Sequence, residues 1–249
     1  MSINLYLLLI VFFILIVTWI SGLVPFVKRI NNSLEFSFPS GKAFASGVFL
    51  GVGLIHMLSD SVLSFNSLNF SYPYPCLITV VTILSFLFME HIGVSNSNNS
   101  VNICQLAVLA TLMLSMHGFF EGVAIGVSRS SAMISIIFIA IIGHKWAESF
   151  SLSLTINQSK YKFIFRSVLF FLFSIMTPIG ILFGNSLQKM FESSLLQPIC
   201  TAIAAGTFIY MGVLHGLKHS VMLSVGDNLK KYSFIIMGFI LMSIVAIWI

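Results

Sequence analysis

The chain has 249 residues, of which 58% are hydrophobic and only 8% charged, and its mean hydropathy is +1.04. Soluble domains carry about 25% charged residues, so the composition excludes an ordinary soluble domain and indicates that lipid surrounds most of the chain. The formal net charge of +5 then indicates membrane orientation rather than nucleic-acid binding. Cys76, Cys104 and Cys200 form no CxxC pair, so neither a disulfide framework nor a zinc finger is predicted.

Eight apolar windows are long enough to cross a membrane, which takes about 20 residues of helix. The first window is longer than the roughly 7–15 apolar residues of a signal peptide and follows no basic residue, so we expect it to remain as a span. We predict an all-α membrane protein in which residues 1–249 form a single eight-span domain. In chain order the windows are Leu5–Val27, Ala43–Phe65, Pro75–Gly93, Ile103–Val127, Met133–Ile156, Phe163–Leu187, Leu195–Leu217 and Tyr232–Ile249.

The basic residues predict the orientation of these spans. The loops after even-numbered spans hold only Arg129 and Lys189, whereas the loops after odd-numbered spans hold most of the basic residues. Because lysine and arginine accumulate in cytoplasmic loops, we expect the loops after odd-numbered spans to be cytosolic and both termini to lie outside the cytosol. Nine of the 12 basic residues flank the odd-numbered loops, namely Lys28, Arg29, Lys42, Lys160, Lys162, Arg166, Lys218, Lys230 and Lys231.

An internal similarity relates spans two and seven. The segments Ala45–Asp60 and Ala204–His219 share six of sixteen positions without a gap, including His56 with His215. Spans two and seven cross in opposite directions, and inverted repeats of this kind are frequent in transporters, with the substrate site between the halves. We therefore predict a 3+2+3 arrangement with an inverted repeat. Chance similarity between two apolar helices is the alternative.

Ionisable side chains are concentrated inside the predicted spans, where each costs on the order of 3 kcal/mol and usually marks a pathway or site. His117 and Glu121 in span four are four residues apart, as are His144 and Glu148 in span five, so each pair shares one helix face. Two imidazoles and two carboxylates suit a divalent ion such as Zn²⁺ or Fe²⁺. For a single pair, a structural hydrogen bond is the alternative; two consecutive pairs favour a metal site.

The sequence around these pairs resembles the signature of the ZIP (Zrt-, Irt-like) metal transporters. Residues 117–126 read HGFFEGVAIG and residues 144–149 read HKWAES, and the similarity extends to HMLSD at 56–60 and GTFIY at 206–210. The resemblance implies a homodimeric, non-enzymatic carrier of divalent ions toward the cytosol, in the plasma membrane or an endomembrane. It further implies that spans one, four, five and six move against a scaffold formed by the rest. The transported substrate would be Zn²⁺ or Fe²⁺, with no organic cofactor and no nucleic-acid partner.

The resemblance also implies a metal centre built from spans four and five. Its first position corresponds to His117, Glu121, His144 and Glu148. Binuclear members use, in addition, the residue after each leading histidine, and here those residues are Gly118 and Lys145, neither of which ligates a metal well. We therefore expect one metal, with the Lys145 ammonium substituting for the charge of the second. A lysine that snorkels to the membrane surface is the alternative.

Two further groups of polar residues are weaker candidates. His56 and Asp60 form another pair spaced by four, near the outer end of span two, and are candidates for the path by which the ion enters. Glu90, His91, His215 and His219 are candidates for the path by which the ion leaves. For both groups, interfacial polar caps are the alternative.

Gly118, Gly122 and Gly126 form a stripe of small residues that predicts close helix packing.

Two other functional classes are less well supported. The sequence contains no GxxxxGK[ST] motif, so ATP-driven transport by this chain is not predicted. A zinc-dependent intramembrane hydrolase remains the alternative to a transporter, since such an enzyme would use a metal-bound water. The HExxH motif is absent, and a lysine beside the site does not favour a water nucleophile.

Overall fold

The computed structural model describes residues 3–27, 39–95, 103–190, 195–213 and 228–247, which are helical apart from short turns. A π-helical segment, Val52–Leu58, joins α2 to α3 without a break. The helices are α1 (Ile3–Val27), α2 (Pro39–Gly51), α3 (Ser59–Ser67), α4 (Tyr74–Ser95), α5 (Ile103–Gly126), α6 (Ser131–Gln158), α7 (Phe163–Met190), α8 (Leu196–Ile209) and α9 (Asn228–Val245).

Seven helical stretches in the described ranges are long and apolar enough to span a membrane. They coincide with the first seven predicted windows, and α2, the π-helical segment and α3 together form the second, Ser40–Ser67. The eighth window, Tyr232–Ile249, begins within α9, which is helical but is not one of the seven, and its last two residues lie outside the described range. The prediction of an all-α membrane fold is confirmed, whereas the eighth span, the 3+2+3 arrangement and the inverted repeat remain predictions.

The backbones of α5 and α7 touch where glycines face each other. A Cβ atom on Gly122 would lie 2.3 Å from the carbonyl oxygen of Thr177, and one on Gly180 would lie 2.2 Å from a main-chain oxygen of α5. Helices approach this closely in membranes only where side chains are absent or very small. The stripe formed by Gly118, Gly122 and Gly126 therefore serves helix packing, as its spacing predicts.

Side-chain hydrogen bonds attach α6 to α1. Three donors of α6, each four residues after the last, lie on one helix face and bind main-chain carbonyl groups of α1. Interhelical hydrogen bonds of this kind contribute about 0.6–2 kcal/mol each in membranes, so together they hold α6 firmly in place. The bonds run from Ser149 to Thr18 (2.5 Å), from Ser153 to Gly22 (2.6 Å) and from Asn157 to Pro25 (2.7 Å).

Helix α5 is the central helix of the described bundle. It contacts α7 most extensively and also packs against α8 and α6. Its second half, from Met113 onward, is almost entirely buried. Any polar side chain in that half therefore faces other helices instead of lipid, and this is the part of α5 that contains His117 and Glu121.

Candidate metal centre

Four ionisable side chains converge between α5 and α6. His117 and Glu121 come from α5, and His144 and Glu148 come from α6. One nitrogen or oxygen atom of each residue lies within 4.8 Å of the corresponding atoms of the other three, and none of the four residues is more than 2% exposed. The i,i+4 spacing places each pair on one helix face, and the packing of α5 on α6 brings the two faces together.

The distances in this cluster fit a small tetrahedral site. The His117 Nε2 atom lies 3.6 Å from Glu148 Oε1 and 3.7 Å from Glu121 Oε1, and His144 Nε2 lies 3.4 Å from Glu148 Oε1. Ligand atoms around a tetrahedral zinc ion are about 3.3–3.6 Å apart, because Zn–N and Zn–O bonds are about 2.0–2.2 Å long. A fourth distance is shorter, 2.6 Å between His144 Nε2 and Glu121 Oε1. This contact is a hydrogen bond that a bound cation would replace.

Two of the atoms that point into the centre of the cluster lack hydrogen bonds. Within the described part of the chain, His117 Nε2 and Glu148 Oε1 have no hydrogen-bond partner although both are buried. Leaving a buried polar atom unsatisfied costs about 1–3 kcal/mol, and such atoms in native proteins call for a specific explanation, such as an ion. Both atoms belong to the set that converges in the cluster, so a cation there would satisfy them together.

Lys145 neutralises part of the negative charge of the cluster. Its Nζ atom lies 2.8 Å from Glu148 Oε2 and 3.6 Å from Glu121 Oε2, and it lies 5.1 Å from the centre of the Phe173 ring. Lys145 is only 1% exposed, so the alternative of a snorkelling lysine is wrong. The ammonium balances one of the two carboxylates, and the cluster keeps one net negative charge when both histidines are neutral.

The space beside Gly118 is filled by neighbouring polar groups. A Cβ atom on Gly118 would lie 2.7 Å from Thr177 Oγ1 and 3.3 Å from Lys145 Nζ. A side chain at position 118 would therefore displace the ammonium or the hydroxyl. Glycine at position 118 therefore leaves the space that the Lys145 ammonium occupies.

A narrow cavity connects the cluster to the C-terminal half of span two. The His56 Nδ1 atom lies 3.1 Å from Asp60 Oδ2, and the Asp60 side chain is 49% exposed. Both residues line a cavity of about 40 Å³ that also reaches Glu121 and His144. His56 lies in the π-helical segment, a distortion that often occurs at functional sites. The cavity thus leads from an accessible carboxylate to the buried cluster.

The candidate exit residues are only partly described by the structure. Glu90 accepts a hydrogen bond from the hydroxyl group of Tyr210 on the neighbouring span, and His91 is exposed. The structure does not bring either of them into the central cluster. His215 and His219 lie outside the described residues, so the exit path remains a prediction.

Sequence reasoning missed the contribution of span seven to the cluster. Thr207 and Phe208 contact the ring of His117, the first through a hydrogen-bonding distance of 2.7 Å and the second by stacking. Two sequence signals include them, the repeat with span two and the resemblance of GTFIY at 206–210 to the transporter family. Neither signal indicates which side chain they touch.

Residues 94–246 match the family model described as ZIP Zinc transporter. The chain belongs to the ZIP zinc transporter family. The matched range contains both ligand pairs and Lys145, whereas His56 and Asp60 precede it. Together with the seven candidate spans, membership of the ZIP family makes the chain a multi-pass membrane protein, and the resemblance noted from its motifs is confirmed.

Individual relatives of this ZIP family member differ in how much of each protein is aligned. Protein zntD of Dictyostelium discoideum is 34% identical over 148 residues, 58% of this chain and 22% of that protein. Zinc transporter ZIP1 of Takifugu rubripes is 36% identical over 53% of this chain and 44% of its own length. Zinc transporter 3 of Arabidopsis thaliana is 25% identical over 94% of this chain and 82% of its own length. The chain thus aligns with less than half of the first two relatives.

Replacing Lys145 by methionine should destabilise the metal-free protein by about 3–5 kcal/mol, because removing one partner leaves a buried carboxylate uncompensated. Unfolding of the purified protein in detergent, with and without Zn²⁺, measures the effect. Zn²⁺ should stabilise K145M more than the wild type, since the cation replaces the missing positive charge.

Lys42→Met is the matched control, because Lys42 is a partly buried lysine that bonds Gln158 away from the cluster. K145M that unfolds like the wild type in the absence of metal would contradict a charge-balancing role for Lys145.

Proposed function

We propose that the chain carries divalent metal ions, Zn²⁺ in particular, across the membrane toward the cytosol. His117, Glu121, His144 and Glu148 would bind the ion in transit. The observation that supports this most directly is the convergence of four buried ligand atoms on two adjacent spans, in a chain whose relatives include proteins named zinc transporters. The same ligand set accepts Fe²⁺, so iron is a second candidate substrate.

The ligand chemistry fits an ion that must be released as well as bound. The exposed Asp60 carboxylate would attract the ion to the cavity, and His56 beside it offers a nitrogen ligand. On reaching the cluster, the ion would take the place of the hydrogen bond between His144 and Glu121. Thiolates, which would hold a soft metal more permanently, do not contribute to the cluster.

We further propose that the centre holds one metal ion. One dication together with the Lys145 ammonium more than offsets the charge of Glu121 and Glu148. A second dication would therefore be repelled by two positively charged groups in a poorly screened interior. The short distance between Lys145 Nζ and Glu148 Oε2 supports the ammonium as the substitute for a second cation. Gly118 has no donor atom to contribute.

We further propose that the chain forms a homodimer in which spans one, four, five and six move against the remaining spans. Helix contacts within the chain support this division of the spans. Helices α1, α5, α6 and α7 are joined to one another by the close glycine contacts and by hydrogen bonds to main-chain carbonyls. The remaining helices form their own set, in which α3 and α4 bind α8 through bonds from Ser61 and Thr79. The largest contact between the sets, α5 with α8, passes directly beside the metal ligands.

The repeat between spans two and seven has one structural parallel. The π-helical segment Val52–Leu58 in span two corresponds, in the ungapped alignment, to residues 211–217. Span seven becomes π-helical at residues 210–213. A shared backbone distortion at aligned positions supports an inverted repeat in a 3+2+3 arrangement, in which each distortion lies at a corresponding place in its half.

Removing a ligand should abolish transport. We expect Glu121→Ala and His144→Ala each to reduce radioactive Zn²⁺ uptake into cells or vesicles to background, because each deletes one of about four ligands. Uptake is normalised to the amount of protein in the membrane. Glu192→Ala, which removes an acidic residue from the loop between predicted spans six and seven, is the control and should transport normally. Near-normal uptake by either ligand variant would remove the central-site assignment.

Metal content tests the single-ion proposal. Elemental analysis of the purified protein should give one tightly bound Zn²⁺ per chain, and Lys145→Asp should add a second because it exchanges a cation for a ligand. K145M serves as the control, since it removes the charge without adding a ligand and should still bind one. Two fully occupied central metals in the unmodified protein would contradict the proposal without affecting the transport function.

Orientation gives an independent test. The distribution of basic residues supports extracytosolic termini, in the plasma membrane or an endomembrane. A tag between Lys160 and Lys162 should be protected from membrane-impermeant reagents added outside intact cells, and a tag at either terminus should lie outside the cytosol. Cytosolic termini would overturn both the order of the spans and the direction of import.

A further inference from the structure

The ring of His117 is held from outside the two helices that carry the candidate ligands. Its Nδ1 atom lies 2.7 Å from the hydroxyl oxygen of Thr207 and 3.2 Å from the carbonyl oxygen of Ala204, both on α8. The Phe208 ring stacks on the imidazole at a centroid distance of 3.6 Å and an interplanar angle of 21°. Helix α8 therefore fixes both the plane and the edge of this imidazole.

Hydrogen-bond donors determine which nitrogen of His117 carries the proton. A threonine hydroxyl has one hydrogen to donate, and Thr207 donates it to the carbonyl of Ala204 at 2.6 Å. The Thr207 oxygen can then only accept from His117, and the Ala204 carbonyl is an acceptor by nature. With the Thr207 hydrogen on the Ala204 carbonyl, both neighbours of Nδ1 are acceptors, so this geometry favours the neutral imidazole that carries its hydrogen on Nδ1.

The opposite nitrogen is consequently free to bind a cation. With Nδ1 protonated, the neutral ring has its lone pair on Nε2, and this atom lies 3.6–3.7 Å from Glu148 Oε1 and Glu121 Oε1. We propose that Thr207 is a positioning residue for the metal centre, holding His117 in the tautomer and orientation that direct Nε2 at the ion. This inference rests on the proposed function.

His144 provides an internal comparison. Its Nε2 atom bonds Glu121, whereas its Nδ1 atom has no hydrogen-bond partner among the described residues. In metal sites, a hydrogen-bond partner of the ring nitrogen that does not bind the metal orients the histidine. Loss of such a partner typically lowers metal affinity about 10–100-fold. The described residues supply such a partner to His117 and not to His144, so the effect of losing Thr207 should be transmitted through His117.

The test compares two substitutions of Thr207. Thr207→Val keeps the shape of the side chain but removes the acceptor, and it should raise the KM for Zn²⁺ uptake about 10–100-fold with a smaller change in the maximal rate. Thr207→Ser keeps the hydroxyl and should retain the wild-type KM. NMR of ¹⁵N-histidine in the purified metal-free protein should show His117 protonated at Nδ1 in the wild type and in T207S, and a mixture of tautomers in T207V.

Thr79→Val is the matched control. Thr79 is also a buried threonine whose hydroxyl takes part in an interhelical bond involving α8, here to the carbonyl of Ala202 at 3.1 Å, but it does not touch the cluster. It should leave the KM and the His117 tautomer unchanged. A wild-type KM in T207V, an equal rise in KM for T79V, or a T207S variant as impaired as T207V would overturn the positioning role.

Binding measurements separate this proposal from the proposed function. The affinity of the purified proteins for Co²⁺, followed by its visible absorption, should fall in T207V and not in T207S or T79V. A wild-type chain that moves no metal would contradict the transport function, while the Co²⁺ affinities and the tautomer would still decide the role of Thr207. Equal Co²⁺ affinity in all four proteins would contradict the role of Thr207 even if the wild type transports zinc.

Discussion

The ion pairing of Glu121 and Glu148 with Lys145 is the interaction on which the centre of this bundle depends. Two carboxylates without exposed surface would repel each other strongly in a poorly screened interior. One ammonium within 2.8–3.6 Å of both removes half of the negative charge and leaves the rest for a cation. The cluster can thus remain folded without metal while keeping a net attraction for one.

This charge arrangement requires a close and rigid backbone around it. Gly122 and Gly180 allow α5 and α7 to touch, and the donors on α6 attach that helix to α1. The same features exclude lipid from the ligand face of α5 and α6. The regularly spaced glycine and serine residues therefore influence metal binding indirectly. They fix the positions of the helices from which His117 and His144 project.

The length of the apolar windows was sufficient to predict the helices. Local spacing was sufficient to pair His117 with Glu121 and His144 with Glu148, since residues four apart share a helix face. Contacts between distant segments were not predictable in this way. Thr207 is 90 residues from His117 in sequence, and Tyr210 is 120 residues from Glu90. The role of Lys145 was inferred from the family pattern, because hydropathy alone does not show whether a lysine turns inward or reaches the membrane surface.

The small cavity beneath Asp60 has a consequence for the hydration of any ion that passes through it. Under the proposed function, an ion would meet the carboxylate of Asp60 and the imidazole of His56 first, and Glu121 and His144 next, past the apolar wall beside Ile141. Apolar side chains offer no oxygen or nitrogen atom to replace water, so the ion would exchange its water for protein ligands at the two ends of the cavity. Mg²⁺ dehydrates reluctantly and keeps several of its waters, so this lining would favour ions that accept nitrogen ligands.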